Sequence, residues 1–130
     1  MTRKKKTLKQ KLFNEAYEAM RDFIRKRDAN FQGYITCCSS GKIIPLEDAQ
    51  LGHWRHGKNL ECYFWPTNVH MQSAGQNYFG GQDTIQNYTL FIVRKYGLKE
   101  AERIRNAKPI YWTNEKLIKI RDYFKNDRKL

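Results

Sequence analysis

Leu51-Gly52-His53-Trp54 and, further on, Phe64-Trp65-Pro66-Thr67-Asn68-Val69-His70-Met71-Gln72-Ser73-Ala74-Gly75-Gln76-Asn77 are the stretch on which the reading of this chain turns. They lie in a middle, residues 32–82, that holds all three histidines and all three cysteines and is broken by Gly, Ser, Pro and Asn turns. Short β-like pieces are predicted there at Tyr34–Cys37, Lys42–Ile44 and Leu60–Phe64. Outward from this middle, the periodicity becomes helical on both sides.

Thr7-Leu8-Lys9-Gln10 has the form of a capping box, with a hydroxyl for an orphan N–H and an amide reaching back. Leu8, Leu12, Ala16, Ala19, Phe23 and Ile24 then recur at helical spacing. That predicts a helix over Leu8–Asp28 with Lys9, Arg21 and Arg25 on its wet face. Asp83-Thr84-Ile85-Gln86 repeats the capping pattern, and Ile85, Tyr88, Ile92 and Val93 continue an apolar stripe towards the left-handed stop offered by Gly97. A short helix over Leu98–Asn106 ends before Pro109. Thr113 caps a last helix with Leu117, Ile120 and Phe124 inward, and Lys116, Lys119, Arg121 and Lys125 outward. The expected organisation is a single α+β domain over 1–130. Residues 1–31 form a basic N-terminal helix, 32–97 the core, and 98–130 the basic C-terminal helices.

Charge follows the same division. The 130 residues carry 25 Lys and Arg against 13 Asp and Glu, a net +12. Residues 1–36 hold 10 basic and 4 acidic side chains (+6), residues 37–90 hold 3 and 4 (−1), and residues 91–130 hold 12 and 5 (+7). Two basic flanks around a polar, aromatic centre suit a polyanion, with nucleic acid the first expectation. An aromatic content of 14% is too high for a disordered chain. No apolar run approaches the roughly 20 residues of a membrane span, and the basic start at Arg3–Lys6 leads into no apolar core of a signal peptide. Three cysteines make no disulfide framework, so a reducing, cytoplasmic setting is expected (that of the host cell for a phage-encoded chain). The oligomeric state stays open, a homodimer included.

Two constellations carry chemistry. Cys37-Cys38-Ser39-Ser40-Gly41 has the outline of a zinc knuckle, but a tetrahedral site needs four ligands, usually two pairs two residues apart. Ser40 stands where a second thiolate would be, and the second pair would be Ser73 and Gln76. On spacing alone, half-buried structural cysteines are favoured, and a zinc assembled from Cys37, Cys38, Cys62 or a histidine stays open. The second constellation is His53, His56, Asn68, His70 and Asn77. A histidine at a strand end, an asparagine in the turn and an amide on a helix can supply a base, an orienting group and an oxygen ligand for a hard cation.

Cys-x-x-Ser-Gly, Leu51-Gly52-His53-Trp54, Phe64-x-x-x-Asn68-Val69-His70-x-Gln72, and Asn77 before a Gly80-Gly81 turn resemble the NinG (Rap) family of phage recombination endonucleases. The match runs from Cys37 to Gln82, about a third of the chain. The family resembles the HNH or His-Me finger nucleases, which implies a small ββα-metal core here, clasped by the basic helices. Three of the family's four zinc cysteines are replaced, by Ser40, Ser73 and Gln76, so a structural zinc is expected to be absent. Packing of Trp54, Phe64 and Trp65 would hold the core instead.

The resemblance implies roles residue by residue. His53 would be the general base that takes a proton from water, and Asn77 would ligate one Mg²⁺ or Mn²⁺. Asn68 would fix the hairpin loop or orient the His53 ring. Many relatives of the fold place an Asp or His beside the base, where this chain has Gly52. Arg55, His56 and Lys58 are then candidate phosphate contacts close to the base, and Lys116, Lys119 and Lys125 more distant DNA contacts. His70 reads as structural. The function implied is a metal-dependent DNA endonuclease acting on double-stranded or branched DNA. The alternatives are a DNA-binding protein that kept a degenerate HNH fold without cleavage, and an RNA-binding module that stacks bases on its aromatics.

Overall fold

A computed structural model describes residues 4–79 and 81–126 of the chain. Helix α1 spans Leu8–Asp28 and begins on the predicted capping box, Thr7 accepting from the Gln10 backbone at 3.1 Å and donating its own N–H to the Gln10 side chain at 2.9 Å. Its buried stripe is Leu12, Ala16, Ala19, Met20 and Ile24, whereas Leu8 begins the helix outside the core at 62% exposure. Strands β1 (Tyr34–Thr36) and β2 (Ile43–Pro45) form one antiparallel hairpin. Strands β3 (Ala49–His53) and β4 (Val69–Ser73) form a second, with Gly52 opposite His70 and His53 opposite Val69. The short helix α2 (Ala74–Phe79) follows β4 directly, and α3 (Gln82–Tyr96), α4 (Leu98–Arg105) and α5 (Asn114–Lys125) complete the chain. The molecule is therefore α+β, helix-rich with two small antiparallel sheets.

Several expectations shift. Leu60–Phe64 is not a strand: residues Glu61–Phe64 form a 3-10 turn, and Leu60 makes a lone bridge to Pro109. The turn closes on its own Trp65 N–H to Cys62 carbonyl bond at 3.1 Å, and the buried Asn68 amide donates to the same carbonyl at 3.0 Å. Both strands of the second hairpin went unpredicted among the β-like pieces. Val69, His70, Met71 and Gln72 are all buried, so β4 has no alternation to read, and β3 turns only Ala49 and Leu51 to the core as apolar residues, too few for a strand signal. Helix α3 is capped by Gly81, with no side-chain bond from Asp83, and Ile85 is 62% exposed. Gly97, at φ 89°, does stop it. Arg3 of the basic start and Gly80 of the glycine turn lie outside the described residues.

The core is built in two parts. In the first, α1 packs on α5 and on both hairpins through Ile35, Tyr63, Phe64, Val69, Met71, Trp112, Leu117 and Phe124. In the second, Tyr88 and Ile92 of α3 and Ala101 and Ile104 of α4 close over Cys38 and Cys62. Burial of each such Ile, Leu or Phe side chain contributes roughly 1.5–3 kcal/mol. The end of α1 is clamped to β4: Arg27 donates to the Pro66 and Val69 carbonyls at 2.7 Å each and pairs with Asp28, whose other oxygen accepts from the Met71 N–H at 2.9 Å. Among the described residues, no helix is long and apolar enough to cross a membrane.

Candidate active site on the second hairpin

Strand alternation divides the site. Gln50 and Gly52 face α2, while Leu51 and His53 face the other way. At the end of β3, the His53 Nε2 lies 2.9 Å from the Tyr63 carbonyl. A carbonyl can only accept, so Nε2 carries the proton and Nδ1 keeps the lone pair. The ring stacks on the Tyr63 ring at 4.3 Å. Burial drives the imidazole pKa down to about 4, against the opposing pull of the Tyr63 carbonyl. At neutral pH, His53 is thus an uncharged acceptor in one tautomer.

Asn68 is fully buried and spends its whole amide on the loop between the strands. Its Nδ2 donates to the Arg55 and Cys62 carbonyls at 3.0 Å each, and its Oδ1 accepts from the Arg55 N–H at 2.8 Å. Cys62 immediately precedes the residue whose carbonyl holds His53, so the loop and the ring are fixed by one device. Arg55, expected at phosphate, places its Nη1 on the Ile104 and Ala107 carbonyls at 2.9 and 2.7 Å, where it serves the C-terminal end of α4. His56 and Lys58 are exposed beside it.

On the α2 side, Asn77 donates from Nδ2 to the Gln50 Oε1 at 3.0 Å, which leaves its own Oδ1 as an acceptor. A Cβ at Gly52 would fall on the Gln72 side-chain amide, so Gln72 fills the space beside Gly52. Gln50 and Gln72 face each other across the hairpin; sequence reasoning missed Gln50 and held Gln72 in its motif without a role. Their signal was available only after the strand register was known. His53 and Asn77 flank β3 from opposite faces, and among the described residues no hydrogen bond joins them. His70 is buried between the Tyr88 and Tyr96 hydroxyls, at 3.1 and 2.7 Å, with the Phe91 ring edge-on at 4.8 Å. Burial, with Arg27 and Lys95 adding to it, pulls its pKa down to about 2.

Of the distant lysines, Lys116 and Lys119 share a shallow hollow with Trp65 and Ile110, and Lys119 also pairs loosely with Glu115 at 3.8 Å. Nine residues from Lys116 turn a helix by about 180°, so Lys125 projects elsewhere, beside Glu15, Glu18 and Asp22. The three do not form one face. Arg121, read as solvated, bonds Glu15 at 2.8 Å across to α1.

In comparisons with known proteins, the family model described as Bacteriophage Lambda NinG protein matches residues 1–130, the entire chain. The chain belongs to the NinG family. That family is tied to phage recombination. No curated protein and no solved structure matches the chain.

In this NinG chain, the corner implied by the family's cysteine pattern is held by hydrogen bonds. The Cys37 thiol lies 3.6 Å from the Ser39 hydroxyl and 3.9 Å from that of Ser73, and accepts from the Ser73 N–H at 3.4 Å. Gln76 donates its N–H to Ser73 at 3.4 Å, and its side-chain oxygen accepts from Ser39 at 2.8 Å and Thr84 at 3.1 Å. Burial raises the Cys37 pKa, but the bonds from Ser40, Ser73 and Ser39 outweigh it and leave the thiol at about 7. Cys38 is pushed far up by burial. For a divalent cation, the donor chemistry is modest: Asn77 offers one oriented, neutral oxygen, and among the described residues no group of three or more His, Cys, Asp or Glu side chains is placed to hold a metal. Such a donor fits Mg²⁺ or Mn²⁺ that arrives with phosphate oxygens and keeps most of its water.

Proposed function

We propose that the chain is a metal-dependent endonuclease that hydrolyses phosphodiester bonds in DNA, on branched or recombining phage DNA. The observation that carries this reading is His53, neutral and held as the Nε2–H tautomer by a carbonyl whose loop is locked by Asn68. The order of hairpin β3–β4 and then helix α2, with the histidine closing β3 and Asn77 on α2, supports assignment to the His-Me finger nucleases.

In this reading, the His53 Nδ1 takes a proton from water as its oxygen attacks phosphorus. The bond to the 3′ oxygen breaks, that oxygen is protonated from solvent, and the imidazolium returns its proton to bulk water. Asn77 Oδ1 and phosphate oxygens would hold the cation, which supplies positive charge where the pentacovalent phosphorus gathers negative charge. Gln50 keeps the Asn77 amide pointing one way. Because His53 and Asn77 stand on opposite faces of β3, the scissile phosphate bridges the strand end rather than entering a closed pocket.

The test is incubation of plasmid and branched DNA with Mg²⁺, with Mn²⁺ and with EDTA. Cleavage is expected with either metal and not with the chelator. His53→Ala should lower the rate by roughly 10²–10⁴-fold with DNA affinity nearly unchanged. Undiminished cleavage by that variant ends the proposal. A second reading, a DNA-binding protein without cleavage, draws on the same modest donor set: among the described residues no group of three or more His, Cys, Asp or Glu side chains is placed to hold a metal. It predicts binding to DNA with no metal-dependent product.

A further inference from the structure

A groove of about 1000 Å³ opens between the N-terminal turn of α1 and the 108–112 segment that leads to α5. Lys4, Lys5, Lys6, Lys9 and Lys58 line it, and none of its lining residues is acidic. The first turn of α1 adds no acidic side chain either, so its exposed N–H groups reinforce the positive potential. Set in this basic wall is Tyr111, 72% exposed, with the Lys9 ammonium 3.6 Å from its ring centroid. The ring thus has a cation on one side and solvent on the remainder. Trp112 anchors the segment by donating to the Lys58 carbonyl at 2.7 Å. Phe13 in its wall lies 5.4 Å from the buried Tyr63 ring, which stacks on His53 at 4.3 Å inside the core.

We propose that this groove binds an unpaired segment of DNA, one base stacking on Tyr111 while its phosphates meet the lysines. A paired duplex offers phosphates to the lysines but keeps its base faces stacked inside, out of reach of an exposed ring. A single strand offers both. Lysines along a groove with an aromatic platform make a binding mode that tracks the backbone and tolerates any base. The groove wall and the candidate base rest on the same core aromatics, Phe13 on Tyr63 and Tyr63 on His53, which places the basic groove in the half of the molecule that carries His53. The choice of DNA as occupant rests on the nuclease reading; the binding itself requires no cleavage.

The experiment measures fluorescence anisotropy of labelled dT12 and of a blunt 12-base-pair duplex with the full chain, in EDTA so that no cleavage enters. Tyr111→Ala is expected to weaken dT12 binding by about 5–100-fold and duplex binding by under about twofold, and Tyr111→Phe to restore the single-strand affinity. Lys9→Gln and Lys58→Gln should each make the salt dependence for dT12 shallower by about 0.7 in log–log slope. Equal losses for single strand and duplex, or no loss for either, would overturn the proposal. Tighter binding of U12 than of dT12 would overturn DNA as the occupant in favour of RNA. Because Tyr111 is exposed, an unchanged thermal melt is expected for its variants. Inactivity of the parent in the cleavage assay leaves these binding results standing, and their failure leaves the His53 test untouched.

Discussion

Asn68 is where residue chemistry and site geometry meet most directly. Its three hydrogen bonds close the loop between β3 and β4 from within. Asn68→Ala removes the side-chain partner of the Arg55 carbonyl and N–H, while the Cys62 carbonyl keeps the Trp65 N–H, and should cost about 1–3 kcal/mol, read as a lower urea midpoint. Under the nuclease reading, it should also lower cleavage, since the Tyr63 carbonyl that sets the His53 tautomer belongs to the same loop. A variant with full stability would show that the loop is held by other means. Asn68 was legible in the motif, and so was the choice between fixing the loop and orienting His53; the structure joins the two, directly to the loop and through Tyr63 to the ring. The bond from Arg55 to the end of α4 was not legible, because a basic side chain two residues after the candidate base looks the same in sequence whether or not it also holds a helix end.

At the scale of elements, α5 illustrates how a basic helix divides its charge. Leu117, Ile120 and Phe124 seat it on α1, with Phe23 and Phe124 rings 5.2 Å apart and Arg121 bridged to Glu15. What remains outward is split between Lys116 and Lys119 on one side and Lys125 among acidic neighbours on the other. If DNA lies along this helix, Lys116→Gln and Lys119→Gln should each flatten the log–log salt dependence of duplex binding by about 0.9. Lys125→Gln should flatten it less, because Glu15, Glu18 and Asp22 offset Lys26, Arg27 and Lys125 in the hollow there. A salt titration in which all three behave alike would remove the distinction. The Lys119–Glu115 pair, exposed on both sides, contributes little to stability.

For the whole molecule, β4 is the seam at which the two halves of the core meet. Val69 and Met71 face α1, while His70 and Gln72 face α3 and the Cys37 corner. Two imidazoles are held neutral across that seam, His53 at about 4 and His70 at about 2, both chiefly by burial. The unfolded chain titrates them near 6.5. Below that pH, the unfolded state therefore binds the extra protons, and stability falls as pH drops. Each site contributes up to about 1.4 kcal/mol per pH unit, His53 down to its folded value and His70 further. Between pH 7.5 and 5, a loss on the order of 2–4 kcal/mol is expected, seen as a falling melting temperature. His53→Gln should remove one site's share of that slope. Stability independent of pH over this interval would contradict neutral burial of both rings.

The local signals in the sequence determined most of the helices and several of their ends, the start of α3 excepted. The Thr7 capping box, the Gly97 stop and the Thr113 cap act through neighbours within four residues, and all three stand in the fold. The charge split between flanks and centre was likewise present in composition, and the His53, Asn68 and Asn77 motif pointed to the hairpin and the helix behind it. Pairing across long separations was decided only in three dimensions. β4 is buried on both faces by α1 and α3, which erases the alternation that marks a strand, and the turn at Glu61–Phe64 is also bonded by a side chain from residue 68. Gln50 behind Asn77, Gln72 over Gly52, Arg27 and Asp28 on the hairpin, and Arg55 at the end of α4 join residues 20 or more positions apart. A sequence read along its length carries the propensity of each segment, but such contacts depend on how the packed segments come to face one another.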